Sequence, residues 1–330
     1  MINEIQIEGF KSFSNCILAL KPFTLLTGLN SSGKSSVIQA ILMAERGMKE
    51  DNFLLDEHGT VKELTNIYTQ EFNIKLTDNS GASISLYGKD DSQKIENKGI
   101  TIPKIFYSEA GRYGSQSSIK VFNNTAETDS KGGNLLKCID TYADESIPAA
   151  LRHPQAQGET LMFNLQAWLN IISPGVNFTY MLQKLSDQSF SYFDEHRATN
   201  VGFGLSYALP VLTALLRASL AKDSLVLLEN PEAHLHPKGQ TEIGKFIALC
   251  ADNGINVIVE THSDHLFDGV RLYIKQHPDF AEKFISYWFQ QNQEKNTEFE
   301  YIILNREGRL ANSAPKGFFD QFEIDAMELF

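Results

Sequence analysis

Residues 2–8 (INEIQIE) alternate apolar and polar side chains, the period of a strand with one buried face. GFKSF follows as a loop, and CILAL and FTLLT read as two further strands. From Ser35 the period lengthens to that of a helix, with Val37, Ile38, Ile41, Leu42 and Ala44 on one side. Residues 47–70 are polar and irregular. FNIKLT (72–77) and ASISLYG (82–88) flank an Asp-Asn-Ser-Gly turn and predict an antiparallel pair. SQKIENKGITIPKIFYS predicts more strands without fixing their bounds. Residues 109–134, rich in Gly, Ser, Asn and Lys, predict mobile loops. NLLKCIDTYA and ETLMFNLQAWLNII predict helices, the second stopped by Ser173-Pro174-Gly175, and strand signals return at 176–193.

The final third is more regular. LPVLTALLRASL predicts a helix with Pro210 in its first turn, where a missing N–H costs nothing. LVLLE and INVIVE are apolar strands, each followed or preceded by a helical stretch: KGQTEIGKFIALCA and HLFDGVRLYIKQ. FISYWF and FEYIIL predict two last strands before a terminal FFDQFEIDAMELF. Continuous apolar strands alternating with helices predict an α/β fold with a mainly parallel sheet covered on both faces. There is no internal repeat and no long heptad run.

Composition narrows the setting. A formal charge of −12 offers no global basic field for nucleic acid or anionic membrane, although a local basic patch is compatible with it. Three scattered cysteines (Cys16, Cys138, Cys250) form no C-x-x-C pair and suit a reducing cytoplasm. The N-terminus lacks the apolar core of a signal peptide, and no run approaches the ~18 apolar residues of a membrane span. A cytoplasmic location without membrane contact is expected.

Gly28-Leu29-Asn30-Ser31-Ser32-Gly33-Lys34-Ser35 fits G-x-x-x-x-G-K-[ST] without a mismatch, between a strand and a periodic helix. Glycines let the backbone curl so that successive N–H groups, including those of Asn30, Ser31, Ser32 and Ser36, point at phosphate oxygens. The new helix turns its positive dipole end to the same anion. Lys34 is expected to bridge the β- and γ-phosphates, and Ser35 to hold Mg²⁺. The plainer alternative is a Gly/Ser turn that matches by chance.

Two apolar strands end in polar clusters: LVLL into Glu229-Asn230-Pro231-Glu232, and INVIV into Glu260-Thr261-His262-Ser263. Ligands of open parallel sheets gather outside the C-terminal ends of strands, so both clusters are expected beside the phosphate loop. Glu229 is then a magnesium ligand through water, and His262 a donor to the γ-phosphate. Each has a plainer alternative, Glu229 as a solvated strand end and His262 as the neighbour of a Ser263 helix cap. His234-x-His236 and His262-x-x-His265 match no standard zinc spacing.

GFKSF with FTLLTGLNSSGKSS resembles the N-terminal head of SMC-type ATPases of the ABC superfamily. VGFGLSYALPVL (201–212), LLENPEAHLHP and VIVETHSDH resemble the signature, Walker B, D-loop and switch segments of its small relatives. Those relatives include RecF- and OLD-like ATPases and bacterial ATPases of anti-phage systems such as Septu and retrons. IFYSEAGRYG resembles a family segment carrying an arginine, here Arg112, and KGFFDQFEIDAMELF resembles that group's tail. The resemblance implies a P-loop NTPase fold, an ABC/SMC-like head with an antiparallel β portion and a helical insertion. It implies one ATPase domain over 1–330, with an N-terminal lobe (1–50), a β/helical insertion (51–199), the signature, Walker B and switch segments (200–305) and a tail (306–330). It also implies ATP and Mg²⁺ as cofactors and a head-to-tail dimer. In that dimer Ser206 reaches the γ-phosphate held by the other copy, and Gly202 and Gly204 permit close approach. Lys11 touches the nucleotide or is an exposed loop lysine.

Aligned with the family's Asp-Glu-Pro, Glu229 takes the magnesium position and Asn230 that of the catalytic base. Asparagine orients water but cannot accept its proton at neutral pH. Glu229 or Glu232 then acts as base, or turnover is slow, as suits a switch. The expected function is an ATPase subunit controlling a separately encoded effector, a nuclease or toxin, in phage defence. With about 70 residues after His262 and no H-N-H or D-x-D cluster, no effector domain is expected in the chain. A RecF-like DNA-binding ATPase is the alternative; about 195 residues between Lys34 and Glu229 are too few for long SMC arms. A GTPase is disfavoured, because no N-K-x-D is present.

Overall fold

The computed structural model describes residues 1–329, without the side chains of Lys184 and Glu323; Phe330, which ends the tail predicted at 306–330, lies outside the described residues. In chain order the elements begin β1 (Ile2–Phe10), β2 (Phe13–Ala19), β3 (Phe23–Gly28), α1 (Lys34–Lys49), α2 (Val61–Leu64), β4 (Glu71–Asp78), β5 (Ser83–Lys89) and β6 (Ser92–Lys98). They continue with β7 (Lys104–Ser108), β8 (Ile119–Lys120), α3 (Leu135–Tyr142), α4 (Leu161–Ile172), β9 (Phe178–Gln183), β10 (Gln188–Phe193) and β11 (His196–Arg197). The last are α5 (Phe203–Ala218), β12 (Ser224–Glu229), α6 (Pro237–Asp252), β13 (Asn256–Glu260), α7 (Asp264–Gln276), β14 (Phe284–Gln291), β15 (Thr297–Ile302) and α8 (Gln321–Leu329).

The chain divides into two compact units. Of the described residues, one unit holds 1–103, 284–304 and 310–329; the other holds 104–283 and 305–309. The stretch predicted as an insertion at 51–199 is thereby shared, β4–β6 going to the first unit and β7–β11 to the second.

In the first unit, β2-β1-β4-β5-β6 form an antiparallel sheet, and the pair predicted at 72–77 and 82–88 is joined in register from Glu71↔Lys89 to Thr77↔Ser83. Its alternating apolar residues, Ile5, Ile7, Ile74, Leu76 and Leu86, are buried, as are Val37, Ile38 and Ile41 of α1. β3 is buried along its whole length and pairs in parallel with β14, which pairs antiparallel with β15. A strand covered on both faces has no solvent-facing positions, which is why FTLLT shows no alternation.

In the second unit, β7, β12 and β13 are parallel, with Leu225 opposite Asn256 and Ser224 opposite Lys104. α5 is buried on nearly all sides, from Leu205 to Ala218. It begins at Phe203, not at Leu209, and Pro210 lies well inside it. The apolar period and neighbouring packing outweigh the hydrogen bond that proline forfeits to the Ser206 carbonyl. Residues 109–134, predicted as mobile loops, contain the short strand β8 and are closely bonded: Glu109 N–H donates to Ser130 O (3.1 Å), Tyr113 N–H to Lys131 O (2.6 Å), and Asn134 Nδ2 to Glu127 O (2.8 Å).

Candidate functional site

In the first unit, the loop between β3 and α1 is shaped by its glycines. Gly28 has φ +136°, and a Cβ there would lie 2.1 Å from the Phe289 carbonyl oxygen. Gly33 has φ +103°, and a Cβ would come within 2.6 Å of Thr297 Oγ1 and 3.0 Å of the Phe13 ring. Only glycine adopts such angles freely and leaves this space. Ser31 is also left-handed, at φ +60°. The outside of the loop is braced by Thr297 Oγ1, which donates to Ser32 O at 2.9 Å, and Gln291 Nε2, which donates to Ser31 O at 2.9 Å. Ser32 Oγ closes it internally on Leu29 O (2.7 Å).

The start of α1 carries neither a side-chain cap nor an acidic residue in its first turn. Its first N–H groups thus face outward with the positive end of the helix dipole, a ready anion site. Asn30 and Ser31 are exposed, Ser35 half-buried and Ser36 buried, with its N–H on Gly33 O (3.0 Å). Lys34 is 3% exposed and its ammonium is folded onto the carbonyls of Gly28 (3.2 Å) and Leu29 (2.7 Å). These residues fit a triphosphate: a glycine-lined curl, a helix start without a side-chain cap and a cation folded over the loop. Lys11, with φ +51°, directs its amine to Gln39 of α1, and burial lowers its pKa.

In the second unit, Glu229 ends β12 with both carboxylate oxygens engaged. Tyr107 donates its hydroxyl to Oε1 (2.9 Å), and the Ala110 N–H donates to Oε2 (3.0 Å). Burial first, and the Glu229 charge second, push the Tyr107 phenol well above its usual range, so it stays a donor. Asn230 sits at φ +44°, its N–H on Glu260 O (2.8 Å), and its side-chain oxygen is buried without a partner. Such an orphaned amide suits a water that it could orient.

Arg112 is 1% exposed and supplies the backbone of this turn with donors. It reaches Glu229 O (2.8 Å), Asn230 O (2.7 Å), Glu109 O (3.0 Å) and Tyr207 O (3.0 Å), and its guanidinium lies 5.2 Å from the Tyr207 ring. Burial lowers its pKa to about 10, which still leaves it charged at neutral pH. Glu232 is 7% exposed; one oxygen accepts from Thr261 Oγ1 (2.7 Å) and from the His262 N–H (3.2 Å). Burial raises its pKa. His262 is exposed, and Ser263 caps α7 through Leu266 N (3.0 Å).

Ser206 is 8% exposed in the first turns of α5, with its hydroxyl 3.3 Å from that of Ser115. A Cβ at Gly204 would lie 2.7 Å from His234 O, so this glycine serves a close approach within the unit, whereas Gly202 has open space. His234 packs on the rings of Phe203 and Tyr207, and His236 caps α6 through Lys238 N (3.3 Å). Among the described residues no three His, Cys, Asp or Glu side chains gather at a point that could hold a metal by themselves.

Sequence reasoning missed Tyr107, Ala110, Thr297 and Gln291. Tyr107 meets Glu229 across 122 positions of chain, and nothing local to IFYS marks it. Arg112 alone had a signal, through the resemblance of IFYSEAGRYG.

Three family models match parts of the chain: an AAA ATPase domain over residues 1–155, an AAA domain described with the AbiEii toxin of a type IV TA system over 141–268, and a family of unknown function (DUF3696) over 281–329. No curated protein matches. Among solved structures the chain is similar to an SMC head bound to the C-winged helix domain of ScpA. The TM-score is 0.57 at 13% identity, covering 92% of this chain and 98% of that one. It is similar also to the Smc head with an extended coiled coil bound to the C-terminal domain of ScpA, from Pyrococcus furiosus. There the TM-score is 0.54 at 11% identity, with 99% of each chain covered. RecF bound to ATPrS, of the RecFOR pathway, gives 0.50 at 10% identity over 91% of this chain and 98% of that one. At these identities the likeness is one of fold, and the fold is that of a P-loop NTPase of the SMC-head type. No helix among the described residues is long and apolar enough to cross a membrane.

Proposed function

We propose that the chain is an ATP-binding, slowly hydrolysing ATPase subunit that works as a nucleotide-dependent switch on a separately encoded nuclease or toxin in anti-phage defence. The observation that carries it is the uncapped start of α1 behind the Gly28–Gly33 curl, with the Lys34 ammonium folded onto two carbonyls of the same loop. Lys34 exchanges those carbonyls for β- and γ-phosphate oxygens when ATP binds, and the N–H groups of residues 30–35 take the rest. Ser35 and Glu229 would hold magnesium. Bound magnesium supplies neutralisation of the charge on the transferring phosphoryl group.

Asn230, with its orphaned amide oxygen, orients the attacking water without taking its proton. His262 donates to the γ-phosphate and so reports its presence, while Glu232 ties that segment to the turn after β12. A second copy, placed head-to-tail, completes the nucleotide site with Ser206. Binding and release, more than flux, are then the output. The defence setting is supported by the resemblance of the signature and switch segments and by the toxin–antitoxin description of the model over 141–268.

Asn230→Glu is the test. Restoring a base at a site otherwise complete is expected to raise the hydrolysis rate by roughly 10²-fold. No change, or a loss, would argue that Glu229 or Glu232 already serves as base. Duplex DNA binding with a steep salt dependence would instead favour the RecF-like alternative.

A further inference from the structure

Two kinds of donor from one short segment, residues 107–112, reach the end of β12. Neutral donors take the Glu229 carboxylate, the Tyr107 hydroxyl on one oxygen and the Ala110 N–H on the other. The cation takes only main chain: Arg112 donates to the carbonyls of Glu229, Asn230, Glu109 and Tyr207. The parallel register produces this. Leu227 lies opposite Tyr107 and Leu228 opposite Ser108, so the turn leaving β7 meets the residue that ends β12. That turn is itself anchored, with Glu109 N–H on Ser130 O (3.1 Å) and Glu109 Oε2 accepting from Ser130 Oγ (2.7 Å).

The division has a chemical consequence. Had the guanidinium paired with the carboxylate, it would have neutralised the charge that a divalent cation needs. Held by a phenol and an amide instead, the carboxylate keeps its remaining lone pairs for a cation while losing its freedom to turn. Outer partners of this kind orient a metal ligand before the metal arrives.

We infer that Tyr107 is a positioning residue for Glu229, fixing its carboxylate in the orientation that accepts a divalent cation, while Arg112 fixes the backbone from which it projects. This rests on Glu229 being the magnesium ligand proposed above. The direct test is Tyr107→Phe in the full chain, which removes one hydroxyl and keeps the ring. Mn²⁺ is the probe, titrated in the presence of a non-hydrolysable ATP analogue and followed by electron paramagnetic resonance. The Mn²⁺ affinity is expected to fall roughly tenfold. Affinity for the analogue without metal, and the melting temperature, are expected to stay near the parent's. A fall in all three together would mean that the hydroxyl merely supports the fold, and would overturn the proposal. Unchanged Mn²⁺ affinity in a folded variant would overturn it as well. Glu229→Gln, run beside it, separates the two levels. If that variant weakens Mn²⁺ and Tyr107→Phe does not, only the positioning role fails; if neither does, Glu229 is not the ligand.

Discussion

The phosphate loop and the end of β12 both hold polar groups in fixed places, by different means. The loop relies on backbone: two glycines at positive φ, with Phe289 and Thr297 so close that no side chain fits. The end of β12 relies on side chains, a phenol and a buried guanidinium from another strand's exit. A site made by backbone conformation fails at its glycines and tolerates change among its neighbours. One made by distant donors fails at those donors, wherever in the sequence they lie.

Arg112→Met should break the second region most severely. It leaves four carbonyl oxygens without their donor in a buried place, an expected loss of about 4 kcal/mol in urea unfolding. A loss below about 1 kcal/mol would mean that water replaces the guanidinium, and the contrast would dissolve. Gly28→Ala attacks the first region, combining a disfavoured φ with overlap on Phe289 O, for about 3 kcal/mol. Gly202→Ala, where a Cβ meets nothing within 4 Å, is its control, at about 1 kcal/mol or less.

Ser206→Ala sharpens the dimer proposal. The residue is buried against Ser115, so a bulky replacement would perturb packing, whereas alanine removes only the hydroxyl. Nucleotide binding by the single chain should persist, and ATP-driven dimerisation in sedimentation velocity should weaken by roughly fivefold, about 1 kcal/mol. Dimers of unchanged affinity would remove Ser206 from the interface.

Glu232→Gln is the mildest. Burial raises the pKa of Glu232, so the folded chain holds its proton more tightly than the unfolded chain does. The contribution of this group is full at low pH and declines as pH rises from the usual carboxylate range through the raised value. The variant should therefore melt slightly higher than the parent at pH 8, with the gap closing as the pH falls toward the usual carboxylate range. A gap that widens toward acid would reverse the assignment.

The same contrast explains what could be read in advance. Gly28 to Ser35, the helix after them and the apolar β12 and β13 are local patterns, visible without any partner. The extent of α5 was hidden because Pro210 reads as a helix start, while burial on all sides carries the helix back to Phe203. Residues 109–134 look loose in composition, yet Arg112 among them is one of the largest fully buried side chains. Burial of that kind is made by the carbonyls of residues 207, 229 and 230, and no window around Arg112 contains them.

The central claim is that residues 28–35 close around the phosphates of an adenine nucleotide. Isothermal titration of the folded chain with ATP and magnesium tests it most directly, with Lys34→Ala alongside. Saturable heat from the parent and none from the variant is the predicted result; a well-folded parent that gives no heat, or a variant that matches it, would contradict the claim.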